Sequence, residues 1–282
     1  MPLPPLEHIV YGPVRSRRLG RSLGVNLLPA GVKVCNMNCA YCQYGWTRGD
    51  RRSTSRSTSW PAPSRIQAVV GRRLNLAAGR NELIDRLTVA GHGEPTLHPA
   101  FEDVAERLCW IRDQMAPRIR LAILSNSTTA AWPDIRRGLK LFDERYMKLD
   151  AGDPITYARI NGPGTSIGAI VDALSGLSRI IVQAMFVTDT AGQADNTTKG
   201  AISEWLGALE RISPSMVHIY TIDRPPALSS LRPVTSQRLR EIAEQVHAAG
   251  FAAECFPARP HARSSHATRD AKDRARVNAS QG

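Results

Sequence analysis

Short apolar runs and longer amphipathic stretches take turns along this chain. Short, mostly apolar runs read as strands at residues 22–29, 84–90, 120–124, 145–149, 180–187, 216–222 and 251–255, because they are too short for helices and several end at turn formers such as Pro29, Gly91 and Ser125. Between them, apolar residues recur three and four apart and predict helices over 61–78, 99–115, 132–141, 166–177, 197–212 and 235–249. Ile66, Val69, Val70, Leu74 and Leu76 give the first helix a rough apolar face, and Pro99 opens the second where its missing N–H costs nothing. Gly152-Asp153-Pro154 and Asn161-Gly162-Pro163-Gly164 read as turns. Strands alternating with helices at intervals of about thirty residues predict an α/β fold with a mostly parallel sheet and right-handed crossovers. An open doubly wound sheet and a barrel, complete or partial, both satisfy the pattern. In either one, chemistry gathers at the C-terminal ends of the strands.

The pattern divides the chain into a Pro-rich, basic N-terminal extension (1–21, with Tyr11-Gly12-Pro13 as a turn), a core domain (22–256) and a basic tail (257–282). The tail has no apolar periodicity and is expected to be disordered. At 282 residues and 42% hydrophobic content the core can bury a sizeable interior. No run approaches the ~20 apolar residues of a membrane span, and the first residues lack the basic and apolar regions of a secretory signal. The expectation is a soluble, cytoplasmic protein without a membrane partner.

The net charge is +12, which raises the question of a polyanionic partner. Arg15, Arg17, Arg18 and Arg21 form a basic arm, residues 48–56 a second basic stretch, and 259–282 a third. These suit an anionic-ligand surface, RNA included, and equally suit solvated loops. Tyr44, Trp46 and Trp60 flank the second stretch and read either as loop packing or as a base-stacking platform.

Four polar stations follow predicted strands. Cys35, Cys39 and Cys42 are spaced C-x3-C-x2-C after the first, Gly91-His92-Gly93-Glu94-Pro95 follows the second, Ser125-Asn126 the third, and Lys148 and Asp150 the fourth. Three thiolates on one short loop can hold three irons of a cubane cluster and leave the fourth open. Zinc is the alternative, completed by His8 or His92, although no second cysteine pair exists for it: Cys109 and Cys255 are isolated and read as core thiols. The two glycines permit close backbone approach to a ligand, and Glu94 offers a carboxylate for an ammonium group; a plain strand-to-helix turn has the same composition. Ser125 and Asn126 equally suit an N-cap or Asx turn, and Lys148 with Asp150 a rim salt bridge. His98, His218 and His247 read as structural or surface residues.

Together these segments resemble the radical S-adenosylmethionine (SAM) superfamily. The likeness covers roughly residues 9–256. The cysteine spacing with its neighbours is the specific part. Residues 11–20, 147–151, 183–186, 195–197 and 217–226 make the resemblance closest to the branch related to the tRNA wyosine-base synthases. It implies a partial (β/α)6 barrel and a [4Fe–4S] cluster on Cys35, Cys39 and Cys42, with SAM on the open iron. Tyr41 would pack near the cofactor, Gly91, Gly93, Glu94 and Pro95 would bind the methionine amino group, and Ser125 and Asn126 would reach the ribose or carboxylate. Lys148 and Asp150 would touch SAM or substrate. The implied reaction is reductive cleavage of SAM to a 5′-deoxyadenosyl radical that abstracts hydrogen from an unidentified substrate, an RNA base being favoured by the basic balance. It needs a one-electron donor of flavodoxin or ferredoxin type and no catalytic side chain for the cleavage. Alternatives are an activase or modifying enzyme for a protein or small molecule, and, from another class, a zinc-bearing nucleic-acid-binding protein. In one respect the chain departs from the wyosine synthases, because no cysteine precedes Cys35.

Overall fold

A computed structural model describes residues 8–47, 59–164 and 166–259. The basic stretch 48–56 and the tail from residue 260 onward therefore lie outside the described residues. The chain runs β1 (Val10–Ser16), β2 (Gly20–Val25), α1 (Pro63–Gly79), β3 (Arg86–Val89), α2 (Phe101–Met115), β4 (Arg120–Ser125), α3 (Pro133–Lys140), β5 (Glu144–Lys148), α4 (Pro154–Asn161), α5 (Ile167–Ser175), β6 (Ile181–Asp189), α6 (Lys199–Ile212), β7 (Met216–Thr221), β8 (Leu231–Pro233), α7 (Ser236–Ala248) and β9 (Ala253–Phe256). The sheet order is β1-β2-β3-β4-β5-β6-β7-β9, with β8 antiparallel on the end of β6. Strands β2 to β7 and β9 are parallel, as the crossovers require, and β1 is antiparallel to β2.

The two ends of this sheet do not pair as strands, yet they meet. Arg17, in the β1–β2 turn, donates to the carbonyl of Pro257 just past β9. The sheet is therefore curled into a half-barrel, the partial barrel rather than the open doubly wound alternative.

Strand alternation then sorts the side chains. Leu23, Leu87, Leu121, Ile123, Met147, Val182, Val217 and Ile219 point outward and join Ile66, Val70, Leu108, Leu139, Leu174, Trp205 and Leu239 of the surrounding helices in one core. The intervening positions face the lumen. The parallel register sets Lys148, Gln183 and His218 side by side on β5, β6 and β7, with Met185, Tyr220 and Phe256 in the next layer.

Three elements depart from the sequence reading. Residues 10–16 form β1 rather than a free extension; Gly12 and Pro13 hide the strand, and an edge position with irregular register between Tyr11 and Val14 tolerates them. Residues 154–161 form α4 because Pro154 occupies its first turn, Asp153 accepts from Thr156 N (2.8 Å), and Gly162 at φ +88° ends it. At three residues, β8 is too short to carry a period. The turn 17–19 closes the lower end of the lumen: Leu19 is 6% exposed and packs with Ala122 and Tyr146, and Arg86 donates to its carbonyl (3.1 Å).

Candidate active site

The cysteine loop leaves β2 and is held on two sides. Asn38 N and Ala40 N donate to the carbonyls of Asn161 (3.1 Å) and Ile160 (2.8 Å) at the end of α4, and Leu228 N donates to Ala40 O (2.8 Å). A third tie joins it to the glycine segment, where Glu94 N donates to Val34 O (2.9 Å). This approach demands glycine before Glu94. A Cβ at Gly93 would lie 1.7 Å from Val34 O, and one at Gly91 would lie 2.1 Å from Asn26 Oδ1.

Cys35 and Cys42 line a cavity of about 710 Å³ in the half-barrel, within the range of small-molecule sites. Cys39 is not on its wall. Asn126 Nδ2 donates to Cys35 Sγ (3.7 Å) and Asn161 Nδ2 to Cys39 Sγ (3.5 Å). Burial, reinforced by the neighbouring Cys39, pushes the Cys35 thiol up to about 12, and burial also raises Cys39. Such thiols ionise when a cation compensates them, which is what iron supplies. Among the described residues no three His, Cys, Asp or Glu side chains are grouped as one metal ion would need. A cubane asks something different, one thiolate at each of three corners. The zinc alternative finds no support: His92 is buried with Nε2 3.0 Å from Pro29 O, and His8 is exposed.

The other stations converge on the same cavity, each with its own correction. Glu94 is 1% exposed and is already engaged. Its Oε1 accepts from Thr96 N (3.1 Å), Thr96 Oγ1 (2.6 Å) and Ser125 Oγ (3.0 Å), and its Oε2 from Asn126 N (2.5 Å). It fastens the second station to the third while still lining the cavity. Gly91, Gly93, Ser125, Asn126, Lys148 and Tyr41 also line it; Pro95 and Asp150 do not. Pro95 is buried at the start of the short turn after Glu94. Asp150 lies behind Tyr41: its Oδ2 accepts from Tyr41 Oη (2.5 Å) and Asn161 Nδ2 (2.8 Å), its Oδ1 from Met185 N (2.7 Å).

Lys148 and Asp150 do form a salt bridge (3.1 Å), but a buried one rather than a rim pair. Lys148 Nζ also donates to Tyr220 Oη (2.6 Å) and lies 4.7 Å from the Tyr41 ring centre. Burial alone would lower the Lys148 pKa; attraction to Asp150 and Tyr220 outweighs it and the pKa is raised, so this cation persists. Cys109 and Cys255 are half-buried against the core, away from the cavity.

Sequence reasoning overlooks several residues that the fold brings here. Asn161, treated as a turn residue, touches Cys39, Tyr41 and Asp150. Tyr220 and Gln183 line the cavity, their only signal being membership of segments resembling the family, and Arg18, read in sequence as part of the basic arm, lines it too. Of the flanking aromatics, Tyr44 lies edge-on to His92 and Trp60 to His98, so both pack locally. Trp46 is exposed.

Comparison with known proteins agrees with this geometry. UPF0026 proteins of Helicobacter pylori (strain J99) and Methanocaldococcus jannaschii are 28% and 31% identical to the chain, over 79% and 80% of its length and 68% and 67% of theirs. A radical SAM methyltransferase from Sphaerobacter thermophilus superposes with a TM-score of 0.58 at 14% identity over 83% of this chain, which spans 65% of that protein. A structure of TYW1 with a lysine-pyruvate adduct gives 0.56 at 17% identity, covering 82% of this chain and 75% of that one. Both likenesses are of fold. The sequence profile of the Radical SAM superfamily matches residues 32–190, from just before the cysteine loop through β6. The chain belongs to the radical SAM superfamily, whose enzymes use a [4Fe–4S] cluster and SAM.

Proposed function

We propose that Cys35, Cys39 and Cys42 hold three irons of a [4Fe–4S] cluster, and that SAM lies in the adjoining cavity against Tyr41, Gly91, Gly93, Glu94, Ser125, Asn126 and Lys148. The observation that carries this reading is the convergence of the stations after β2, β3, β4 and β5 on one cavity with two of the cysteines on its wall. When bound, the reduced cluster supplies the electron that cleaves SAM and yields a hydrogen-abstracting carbon radical. The chain's own residues bind and enclose. Glycine at 91 and 93 lets this segment pack against Asn26 and Val34, which sets its backbone in the cavity wall for the methionine end of SAM. Asn126 and Asn161 donate to cysteine sulfurs, and such bonds tune a cluster's potential. Leu124, Met185, Tyr220 and Phe256 shield the lumen from water. Pro95 and Asp150 act from behind, as supports for Glu94 and Tyr41.

The reaction needs an external one-electron donor, which we assign to the flavodoxin or ferredoxin type. Arg15, Arg17, Arg224 and Arg259 on the cavity rim favour an anionic substrate. RNA belongs to that class; tRNA binding that weakens with salt and survives removal of residues 260–282 would support it. Kinship with the wyosine synthases rests on the segments described above.

Anaerobic reconstitution tests the central reading. It should give about four irons and four sulfides per chain, with 5′-deoxyadenosine released on reduction in the presence of SAM. Cys39→Ala should lose both. Tight stoichiometric zinc without 5′-deoxyadenosine would overturn the assignment.

A further inference from the structure

The β1–β2 turn carries a cation for which the described protein supplies no counter-charge. Arg18 reaches from this turn into the lumen, where its guanidinium carbon stands 4.0 Å above the ring centre of Tyr220. The turn itself is fixed, since Arg18 N and Leu19 N both donate to Ser16 Oγ and Leu19 is packed beneath the lumen. Among the described residues the guanidinium meets no hydrogen-bond acceptor, and its Nη1 is fully buried. An arginine offers five N–H donors in a rigid plane. Burying one of them unpaired is costly unless a ligand completes it.

The nearby acids are already committed. Asp150 pairs with Lys148, and Asp223 with Arg17 and Arg259. Glu144 pairs with Arg86, and Glu94 is held by Thr96, Ser125 and Asn126. Arg224 rests on Gln43. A second unsatisfied donor faces the same lumen: Gln183 is 3% exposed, lines the cavity, and leaves Nε2 buried without a partner. Burial, and after it the positive charge of Arg18, lower the His218 pKa.

We propose that Arg18, stacked on Tyr220 and seconded by Gln183, receives an oxyanion, a carboxylate or a phosphate, carried by the substrate. A planar fork lying on an aromatic ring suits both groups. The position argues for substrate rather than SAM. The SAM-binding stations follow the C-terminal ends of β2 to β5, whereas Arg18 enters from the turn before Gly20, at the opposite end of β2 from the cysteine loop, and adjoins those stations only at Tyr220, whose hydroxyl accepts from Lys148. This proposal rests on the reading of the cavity as the SAM site and identifies the chemistry of what lies beside SAM.

Equilibrium dialysis of labelled inorganic phosphate and labelled acetate against anaerobically reconstituted holoenzyme with SAM provides the test. One of the two should bind at one per chain: preference for acetate identifies a carboxylate substrate, and preference for phosphate a phosphorylated one. Arg18→Met should weaken binding roughly tenfold or more, Arg18→Lys should restore part of it, and Arg211→Gln, on the outer surface, should leave it unchanged. If Arg18→Met does not fold, Gln183→Leu carries the test with a loss of roughly threefold or more. The proposal is overturned if neither anion binds, if Arg18→Met and Gln183→Leu bind as well as wild type, or if Arg18→Met loses SAM affinity in step with the anion. Wild-type protein that binds the anion but assembles no cluster and cleaves no SAM would count against the radical SAM assignment while leaving the oxyanion site standing.

Discussion

Asn161 shows why some site residues elude a linear reading. In sequence it opens Asn161-Gly162-Pro163-Gly164, whose composition signals a turn, and a turn is present. Only the packing of α4 against the cysteine loop aims its amide at Cys39 Sγ, Tyr41 Oη and Asp150 Oδ2. The three cysteines, by contrast, are local to one loop, so their spacing alone reveals them. Asn161→Leu should shift the cluster's midpoint potential to a more negative value, because it removes an N–H that stabilises charge on sulfur. An EPR-monitored redox titration checks this, and an unchanged potential would refute it. The same change leaves Asp150 short of a donor and should cost ~1–3 kcal/mol of stability.

His218 behaves differently. Burial first, and then the charge of Arg18, lower its pKa from 6.5 to about 4. Between those values the unfolded chain takes up a proton that the folded protein refuses. Stability is therefore intact above pH 6.5 and declines as pH falls toward 4, by up to roughly 3 kcal/mol. Melting temperatures of wild type and His218→Phe across pH 4–7 should diverge in slope; parallel curves would sink the idea.

Long amphipathic helices and central strands announce themselves in this sequence because each has one buried face. Observed α1, α2, α6 and α7 begin and end within two residues of the periodic stretches. The elements that escape have weaker local signals: β1 contains Gly12 and Pro13, α4 spans eight residues, and β8 three. The β1–β2 hairpin matters most among these. Without it the N-terminal arginines suit a solvated arm and an anionic-ligand surface equally, whereas the turn lays Leu19 under the lumen and delivers Arg18 into it. Leu19→Ala should cost ~2–5 kcal/mol, as cavity formation at a buried leucine does, read by urea unfolding. Oxyanion binding should weaken with it, since the same turn positions both residues.

Net charge is a property of the whole chain, and +12 says little until the fold distributes it. Around the cavity the cations outnumber the acids, which turns a compositional bias into a statement about substrate. The cluster acts on the whole molecule in another way. On the proposed assignment it would join three points of one loop that is itself tied to α4, Val34–Glu94 and Leu228, and so would bind the folded state in preference to the unfolded one. The melting temperature of the reconstituted protein should therefore exceed that of the iron-free protein by several degrees, and anaerobic chelation should reverse the gain. Equal values would show that the loop is ordered without metal.

The half-barrel closes between residues far apart in sequence: Arg17 meets Pro257 at a separation of 240, and Arg224 meets Gln43 at 181. A ribosome makes the cysteines early and the segment around Arg224 much later. At ~5–20 residues per second, roughly ten seconds or more pass between Gln43 and Arg224. During synthesis the Gln43 side of the cysteine loop stands uncovered for that interval, open both to an iron–sulfur donor and to oxygen.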